Sequence, residues 1–271
     1  MVNTLWSDIS EFQVPADNSY PYNFLGFRSN DGSYEDHHFT QNIAWARAAI
    51  HSGKLWGFMV YYLYRPGFDG AKLLMSRVGK PDSRMVAMVD VESVNGQVSG
   101  NQSDAINEQF NELAHWLGNA SRVVGYGNTF DLNALWPQKP PGIKIIVAAY
   151  GSNPSYPGKY AHQYMNNAKT KPFGPSDLNS ADGMSVADLE KMYGFTTPTP
   201  DPPPSPGNVH TFDGKQTLFD VARSRNYGSV AEWLAHEGAL NIAVGTKLIE
   251  LGESKLEGIV PPAGTEWLTN P

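Results

Sequence analysis

Short apolar runs alternate with segments of helical periodicity along most of the first 195 residues of the chain. Runs typical of strands occupy 5–10, 24–28, 56–62, 85–92, 122–125 and 143–149. Apolar residues at helical spacing predict helices over 39–51, 71–78 and 103–117. The run 85–92 is nearly continuous, as in a strand that is covered on both faces. This repeated strand–helix order predicts an α/β fold with a parallel sheet or a barrel.

A proline-rich segment at 196–207 interrupts this pattern and predicts a domain boundary. Proline fixes φ and removes a backbone donor, so the segment can form neither a helix nor a central strand. We expect an extended, semi-rigid spacer between a large domain at 1–195 and a small domain at 208–271. The alternative is a long loop within one domain, which is uncommon in compact proteins.

Composition narrows the classes of function that remain. The 271 residues include no cysteine, which excludes a disulfide framework, an iron–sulfur cluster, a thiolate zinc site and a cysteine nucleophile. His37 and His38 are adjacent, the other histidines show no ligand spacing, and no phosphate loop is present, so we expect no metal or other cofactor. The net charge of −7 argues against nucleic acid or an anionic membrane as the main partner.

The chain also lacks the patterns expected of membrane and secreted proteins. No apolar stretch is long enough to span a bilayer. Residues 1–8 contain neither the basic region nor the apolar region of a signal peptide. We therefore expect a protein that does not insert into a membrane and is made in a cytoplasm.

The pair Asp90 and Glu92 is the most informative local feature. Residues i and i+2 of a strand project to the same face, about 6–7 Å apart. Two carboxyl groups held so close should raise the pKa of one of them, which gives a proton donor beside a charged partner. Cleavage of a glycosidic bond needs such a pair. The alternative is a solvated strand end.

Other polar and aromatic residues follow the predicted strands, where barrel enzymes place their chemistry. Asp8 closes the first strand-like run, and Asp177 lies in a predicted loop; either is also compatible with an ordinary cap or turn. Tyr61, Tyr126 and Tyr150 each follow an apolar run, where a ring either stacks on a sugar or fills the core. These positions favour a barrel over an open sheet.

Eight short segments in chain order resemble the family 25 glycoside hydrolases, the Chalaropsis-type lysozymes common in phage endolysins. The segment SDISEFQ is similar to the opening D-[VI]-S-x-x-Q of that family, and VDVE to its D-x-E strand. Together the similar segments are 7–13, 27–33, 36–49, 61–66, 89–92, 124–127, 162–164 and 176–179.

The resemblance implies a TIM-like barrel with fewer helices than the full (β/α)8 form and cleavage of the β-1,4 bond between N-acetylmuramic acid and N-acetylglucosamine in bacterial peptidoglycan. It makes Glu92 the general acid and Asp90 its charged partner, which stabilises the cation or an intermediate formed by the substrate acetamido group. Asp8 and Asp177 would shape the −1 site. The residues implied to bind substrate are Tyr61, Tyr126, Tyr150, Gln163 and Arg28.

The chain departs from the family pattern at several points. Tyr62 and Leu63 replace a histidine and a phenylalanine, the usual tryptophan is missing from 147–150, and the predicted loop 166–175 is unusually rich in lysine. All four acids are retained, so we expect activity, with a non-catalytic glycan-binding barrel as the alternative.

The small domain at 208–271 is predicted to be an α+β module. Its segment 217–222 and its proline-rich end faintly resemble the LysM peptidoglycan-binding repeat. A folding or assembly domain without glycan affinity is the alternative.

Two cellular roles follow from these predictions. In the first, a phage endolysin accumulates in the host cytoplasm and reaches the wall through a holin. In the second, a virion component of a tail or fibre binds or locally degrades glycan, and 208–271 docks to phage structural proteins.

Overall fold

The computed structural model describes residues 3–195, 247–251 and 265–269. The first of these ranges contains nine strands and five α-helices. The strands are β1 (Leu5–Ile9), β2 (Phe24–Asp31), β3 (Tyr34–Glu35), β4 (Gly57–Leu63), β5 (Met85–Asp90), β6 (Val123–Asn128), β7 (Lys144–Ala148), β8 (Lys159–Thr170) and β9 (Gly174–Ser180). The helices are α1 (Phe39–His51), α2 (Gly70–Val78), α3 (Ser103–Leu117), α4 (Thr129–Ala134) and α5 (Val186–Tyr193).

Eight of these strands close into a barrel in the order β1-β2-β4-β5-β6-β7-β8-β9. β1 closes it, because it pairs with β2 in parallel and with β9 in antiparallel orientation. The short β3 lies outside the ring as a hairpin on β2. Helices follow β2, β4, β5 and β6, whereas β7 connects to β8 and β8 to β9 without one. The predicted barrel with a reduced number of helices is therefore confirmed.

Alternation along each strand divides the apolar side chains into two cores. On β4, Phe58 and Val60 face outward and pack with the helices, whereas Met59 and Tyr61 face into the barrel. The same alternation on the other strands fills the lower part of the barrel with apolar side chains and leaves the last inward positions polar. The barrel is thus a packed core with a polar mouth at the carboxyl ends of its parallel strands.

The segment 166–175, predicted to be a loop, is mostly strand. β8 extends to Thr170 and β9 begins at Gly174, so only a tight turn separates them. Asp177 accordingly lies on β9 rather than in a loop. Sequence inspection missed these strands because this hairpin is polar: Asn167 and Lys169 are exposed, while Ala168 and Thr170 between and beyond them are buried. Pairing of β9 with both β8 and β1 satisfies the backbone hydrogen bonds of this segment, which has no apolar pattern of its own.

The chain divides into two compact units, Met1–Pro198 and Thr199–Pro271. In the second unit, the strands β10 (Lys247–Leu251) and β11 (Thr265–Thr269) pair in parallel. The predicted spacer at 196–207 and the LysM-like segment 217–222 lie outside the described residues, so the domain assignments stay predictions. Within the described part of the chain, no helix has both the length and the apolar character needed to cross a bilayer.

We predict that residues 1–195 fold on their own, because the barrel closes entirely within them. The fragment should unfold cooperatively, with a Tm within a few degrees of the first transition of the full chain, as measured by calorimetry. Aggregation of the fragment, or a Tm lower by more than about 10 °C, would show that the two units share stabilising contacts.

Candidate active site

The inward-facing positions nearest the barrel mouth carry polar side chains on several neighbouring strands. Asp8 on β1 is in register with Gly26 on β2, and Asp90 on β5 is in register with Tyr126 on β6. Two residues before each polar position lies an apolar side chain of the barrel interior, such as Trp6 before Asp8. The alternation that builds the core therefore also brings the acids together at one end.

Asp8 is fixed by two amide side chains. Its Oδ2 accepts hydrogen bonds from Asn179 Nδ2 at 2.7 Å and from Gln163 Nε2 at 3.1 Å. The Gln163 Oε1 in turn accepts hydrogen bonds from the hydroxyl groups of Tyr126, at 2.7 Å, and Tyr150, at 2.8 Å. Because the two tyrosine donors fix the amide orientation, Gln163 must present its NH2 group to Asp8.

Gly26 provides the space that Asp8 occupies. A Cβ atom at position 26 would lie 2.9 Å from the Cβ of Asp8. Any larger residue there would force Asp8 or its neighbours to shift. The glycine is thus required by close approach at the site, although nothing in the local sequence marks it.

Asp177 lies directly opposite Asp8 in the antiparallel pair of β1 and β9. Cβ atoms of such opposed residues are about 4.5–5.5 Å apart, so the two carboxyl groups interact directly. Burial, followed by the charges of Asp8 and Glu92, raises the pKa of Asp177 to about 8. Burial also raises the pKa of Asp8, although the hydrogen bonds from Asn179 and Gln163 oppose this change.

Asp90 and Glu92 complete the cluster at the end of β5. Asp90 is 7% exposed, and its Oδ1 accepts no hydrogen bond from the described residues. Burial raises the pKa of Asp90 well above its usual value, and the charges of Glu92 and Asp8 raise it further. Glu92 lies beyond the strand end and is half-buried. Its pKa is also raised, by burial and then by the charges of Asp131 and Asp8, while Arg65 lowers it.

These shifts show that Asp8, Asp90, Glu92 and Asp177 form one electrostatic cluster. Each of them changes the pKa of another member or of a shared neighbour. Like charges in a buried site cannot all ionise together, so the cluster retains protons at pH values where isolated carboxyl groups are ionised. The structure therefore places all four acids that the sequence singled out in one environment suited to proton transfer.

Arg28 takes part in this site indirectly. Its Nε donates to Asp36 Oδ2 at 3.0 Å, and its Nη2 lies 3.3 Å from Glu11 Oε1. Its positive charge lowers the pKa of Asp90 and thus offsets part of the effect of burial. Since two carboxylates already engage its guanidinium group, this geometry favours an electrostatic role over the substrate contact expected from the sequence.

The predicted tyrosines occupy two different depths. Tyr61 and Tyr126 lie within β4 and β6 rather than after them, and both are buried in the barrel interior. Tyr150 follows β7 and is 52% exposed. Only Tyr150 therefore presents a large ring surface to a ligand, whereas Tyr61 and Tyr126 line the floor of the mouth.

Further exposed side chains, which the sequence did not single out, surround the mouth. Within the described residues, the exposed large apolar side chains lie in segments that follow barrel strands, except for Met165, which lies within β8; these are Phe12, Val14, Tyr34, Phe68, Phe130, Tyr150 and Met165. We call this set the apolar rim. A cavity of about 380 Å³ adjoins it and is lined in part by Tyr34, Arg65 and Phe68.

The site has the groups for acid–base chemistry. It offers carboxyl groups with raised pKa, amide and hydroxyl donors, and exposed rings. In the described part of the chain, the histidine, aspartate and glutamate side chains form no group of three arranged to hold a metal ion.

Comparison with known proteins gives a relative at the level of sequence. The chain is 38% identical over 209 residues to the uncharacterized protein Rv3766 of Mycobacterium tuberculosis, a match that covers 73% of this chain and 76% of that protein. The chain belongs to the Rv3766 family. No family model matches the chain.

Solved structures that are similar to this chain identify the fold of its barrel. They include the CTP1L endolysin (16% identity, TM-score 0.57, 70% of both chains covered). A family 25 glycosyl hydrolase from Bacillus anthracis (14%, TM-score 0.57) aligns over 72% of this chain and 94% of its own. A bacterial lysozyme from Streptomyces coelicolor (17%, TM-score 0.55) aligns over 71% and 98%. The barrel therefore has the fold of the family 25 glycoside hydrolases.

We predict that Asp177→Asn stabilises the protein at alkaline pH. The pKa of Asp177 is raised from its ordinary value to about 8 on folding, so between these values the folded state holds a proton that the unfolded state has released. The stability of the wild type should therefore fall as pH rises through this range, and the variant should escape that loss. At pH 8.5 the variant should gain at least about 1.4 kcal/mol, the equivalent of one unit of pKa shift.

Urea denaturation at pH 4 and pH 8.5 measures this effect, and the gain should shrink at pH 4. Asp104→Asn is the control, because Asp104 is exposed on α3, away from the cluster. A loss of stability in Asp177→Asn at both pH values would contradict the prediction, since it would mean that the ionised carboxylate makes favourable contacts.

Proposed function

We propose that this protein is a peptidoglycan hydrolase, an N-acetylmuramidase that cleaves the β-1,4 bond between N-acetylmuramic acid and N-acetylglucosamine. The observation that carries the proposal is the cluster of Asp8, Asp90, Glu92 and Asp177 at the mouth of the barrel. The shared fold with a lysozyme and with a family 25 glycosyl hydrolase supports it. So does the apolar rim, because exposed rings stack on the faces of sugars.

Glu92 is the proton donor in this proposal. Its half-buried position beyond the end of β5 leaves its carboxyl group accessible to the oxygen of a leaving sugar. Its raised pKa keeps it protonated at higher pH than an ordinary glutamate, as a general acid requires.

Asp90 stabilises the positive charge that develops on the sugar. Its Oδ1 is buried and accepts no hydrogen bond from the described residues, so no such bond competes for the charge on that oxygen. Positive charge developing beside Asp90 favours its ionised form, so the carboxyl group becomes a stronger stabiliser in the transition state than in the ground state.

Asp8 and Asp177 shape the site around the sugar undergoing cleavage. Asp8 is held rigidly by Asn179 and Gln163 and adds a fixed negative charge near Asp90. The charge of Glu92 raises the pKa of Asp177. The two groups therefore favour states in which at least one of them holds a proton.

The cellular role we propose is that of a phage endolysin, which the fold shared with the CTP1L endolysin supports. An endolysin acts as a free protein on the wall of the host. Recovery of the protein in purified phage particles would instead favour a virion component. In either role the small domain at 208–271 is proposed to bind the cell wall or another phage protein.

We predict that Glu92→Gln lowers the rate of peptidoglycan hydrolysis at least about a hundredfold, which is the low end of the contribution of a positioned general acid. The variant should fold normally, because glutamine has nearly the same shape. The assay is release of reducing sugar from purified peptidoglycan, with mass spectrometry of the products to identify the new reducing end as N-acetylmuramic acid.

Glu108→Gln is the matched control, since it makes the same change at an exposed position on α3. It should retain the wild-type rate. If Glu92→Gln also retained that rate, Glu92 could not be the acid; if the wild type released N-acetylglucosamine reducing ends, a different bond would be the target.

We predict that Tyr150 contributes separately through its ring and its hydroxyl group. Tyr150→Ala should raise KM about tenfold, because the loss of apolar contact between a large ring and a ligand costs on the order of 1.4 kcal/mol. Tyr150→Phe keeps the ring but removes the hydrogen bond to Gln163, so it should lower kcat with little change in KM. Steady-state kinetics on soluble glycan fragments separate the two effects, and equal KM values for the two variants would contradict a stacking role.

A further inference from the structure

The segment that follows Glu92 is attached to a buried carboxylate on another element. Asp131, in the first turn of α4, is 4% exposed. Its Oδ2 accepts a hydrogen bond from the backbone N–H of Ser93 at 3.0 Å and a second from the Ser93 hydroxyl at 3.3 Å. Because Ser93 is the next residue after Glu92, these bonds fix the peptide that carries the proposed acid.

Asp131 is itself held in place by Asn128. The Asn128 Nδ2 donates to Asp131 Oδ2 at 2.8 Å, and the backbone N–H of Asp131 donates to Asn128 Oδ1 at 2.9 Å. One carboxylate oxygen thus receives three hydrogen bonds. Asn128 is the last residue of β6, so the anchor belongs to the rigid barrel rather than to a loop.

The turn after Ser93 contains strained backbone that needs support from other residues. Val94 has φ 42° and Asn95 has φ 55°, both in the left-handed region that a β-branched residue such as valine disfavours. Farther along the turn, Arg65 Nη1 donates to Gln97 Oε1 at 2.9 Å. Asp131 and Arg65 therefore hold the two ends of the strained turn.

Both anchors also act on the charge of Glu92. The negative charge of Asp131 raises the pKa of Glu92 and is the largest contribution after burial, whereas Arg65 lowers it. The other charged groups that act on Glu92 or respond to it are Asp8, Asp90 and Asp177, and the titratable hydroxyl groups are those of Tyr126 and Tyr150. Of all the groups that act on Glu92, Asp131 is also the one whose side chain is hydrogen-bonded to Ser93, the residue next to Glu92.

We propose that Asp131 is a positioning residue for Glu92: it anchors the Ser93 peptide so that the Glu92 carboxyl group faces the mouth of the barrel. The assignment of Glu92 as the acid rests on the proposed function, but the anchoring itself does not. Asp131 faces Ser93 and Asn128 and acts on substrate only through Glu92.

The test is Asp131→Asn in the full-length protein. The amide keeps the shape and an acceptor oxygen for Ser93 but removes the charge. We expect the pKa of the Glu92 carboxyl group, measured by carbon-13 NMR and assigned with Glu92→Gln, to move downward. The basic limb of the pH dependence of kcat/KM should move to lower pH, and kcat should fall about tenfold with KM changed less than about twofold.

Asp104→Asn is the matched control, because Asp104 lies in the first turn of α3 as Asp131 lies in that of α4, but it is exposed. It should change neither the pKa of Glu92 nor the pH profile. Asp131→Glu is the second variant. It keeps the charge and displaces the oxygen that binds Ser93, so it should retain most of the raised pKa of Glu92 while kcat falls and the Ser93 amide exchanges faster with solvent.

The outcomes separate this proposal from the proposed function. If the wild type cleaves no peptidoglycan, the proposed muramidase function is wrong. The pKa of Glu92 and the exchange rate of the Ser93 amide still test the role of Asp131 in that case. An unchanged pKa of Glu92 in Asp131→Asn overturns the electrostatic part. Wild-type protection of the Ser93 amide in Asp131→Glu overturns the anchoring, and this second result remains available if Asp131→Asn does not fold.

Discussion

The crowding of acidic side chains at the mouth of a closed barrel is the constraint on which the rest of the site depends. Asp8 and Asp177 lie opposite each other on paired strands, and Asp90 is buried within reach of the charges of Asp8 and Glu92. Such an arrangement costs stability, because ionised carboxylates repel and desolvation penalises their charge. The ring of strands below, filled by side chains such as Trp6 and Met88, prevents the mouth from opening to relieve that repulsion.

The surrounding polar residues each compensate part of this cost. Asn179 and Gln163 supply hydrogen bonds to Asp8, and Arg28 supplies a positive charge near Asp90. None of these removes the repulsion entirely, since the pKa values of all four acids remain raised. This residual instability is useful to a hydrolase of the proposed kind, because a site that is unfavourable for several negative charges becomes favourable when positive charge develops on a bound sugar.

Much of the barrel follows from local pattern. The helix predicted over 39–51 has the bounds of α1, and the helix over 103–117 has those of α3, because their apolar faces pack on the sheet at regular spacing. The hairpin of β8 and β9 escaped prediction because β9 also pairs with β1, a strand distant in sequence, and because the hairpin lacks a clear apolar alternation. The pair Asp90 and Glu92 could be found from spacing alone. Asp131 and Asn179 could not, because each acts on a residue at least 38 positions away.

Its position makes Glu92 better suited to the proposed role of proton donor than a more deeply buried acid. Asp8 is fixed by two amide donors that favour its ionised form, and Asp90 lies too deep for its carboxyl group to follow a leaving oxygen. Glu92 has a longer side chain and stands one residue beyond the last residue fixed by β-sheet pairing with Tyr126, since Val91 still donates to the Tyr126 carbonyl. Such a residue can move its carboxyl group only if its backbone is held, which is why a strained turn anchored from β6 and α4 accompanies the acid. The mobility of the proton and the rigidity of the peptide are therefore two requirements of the same chemistry.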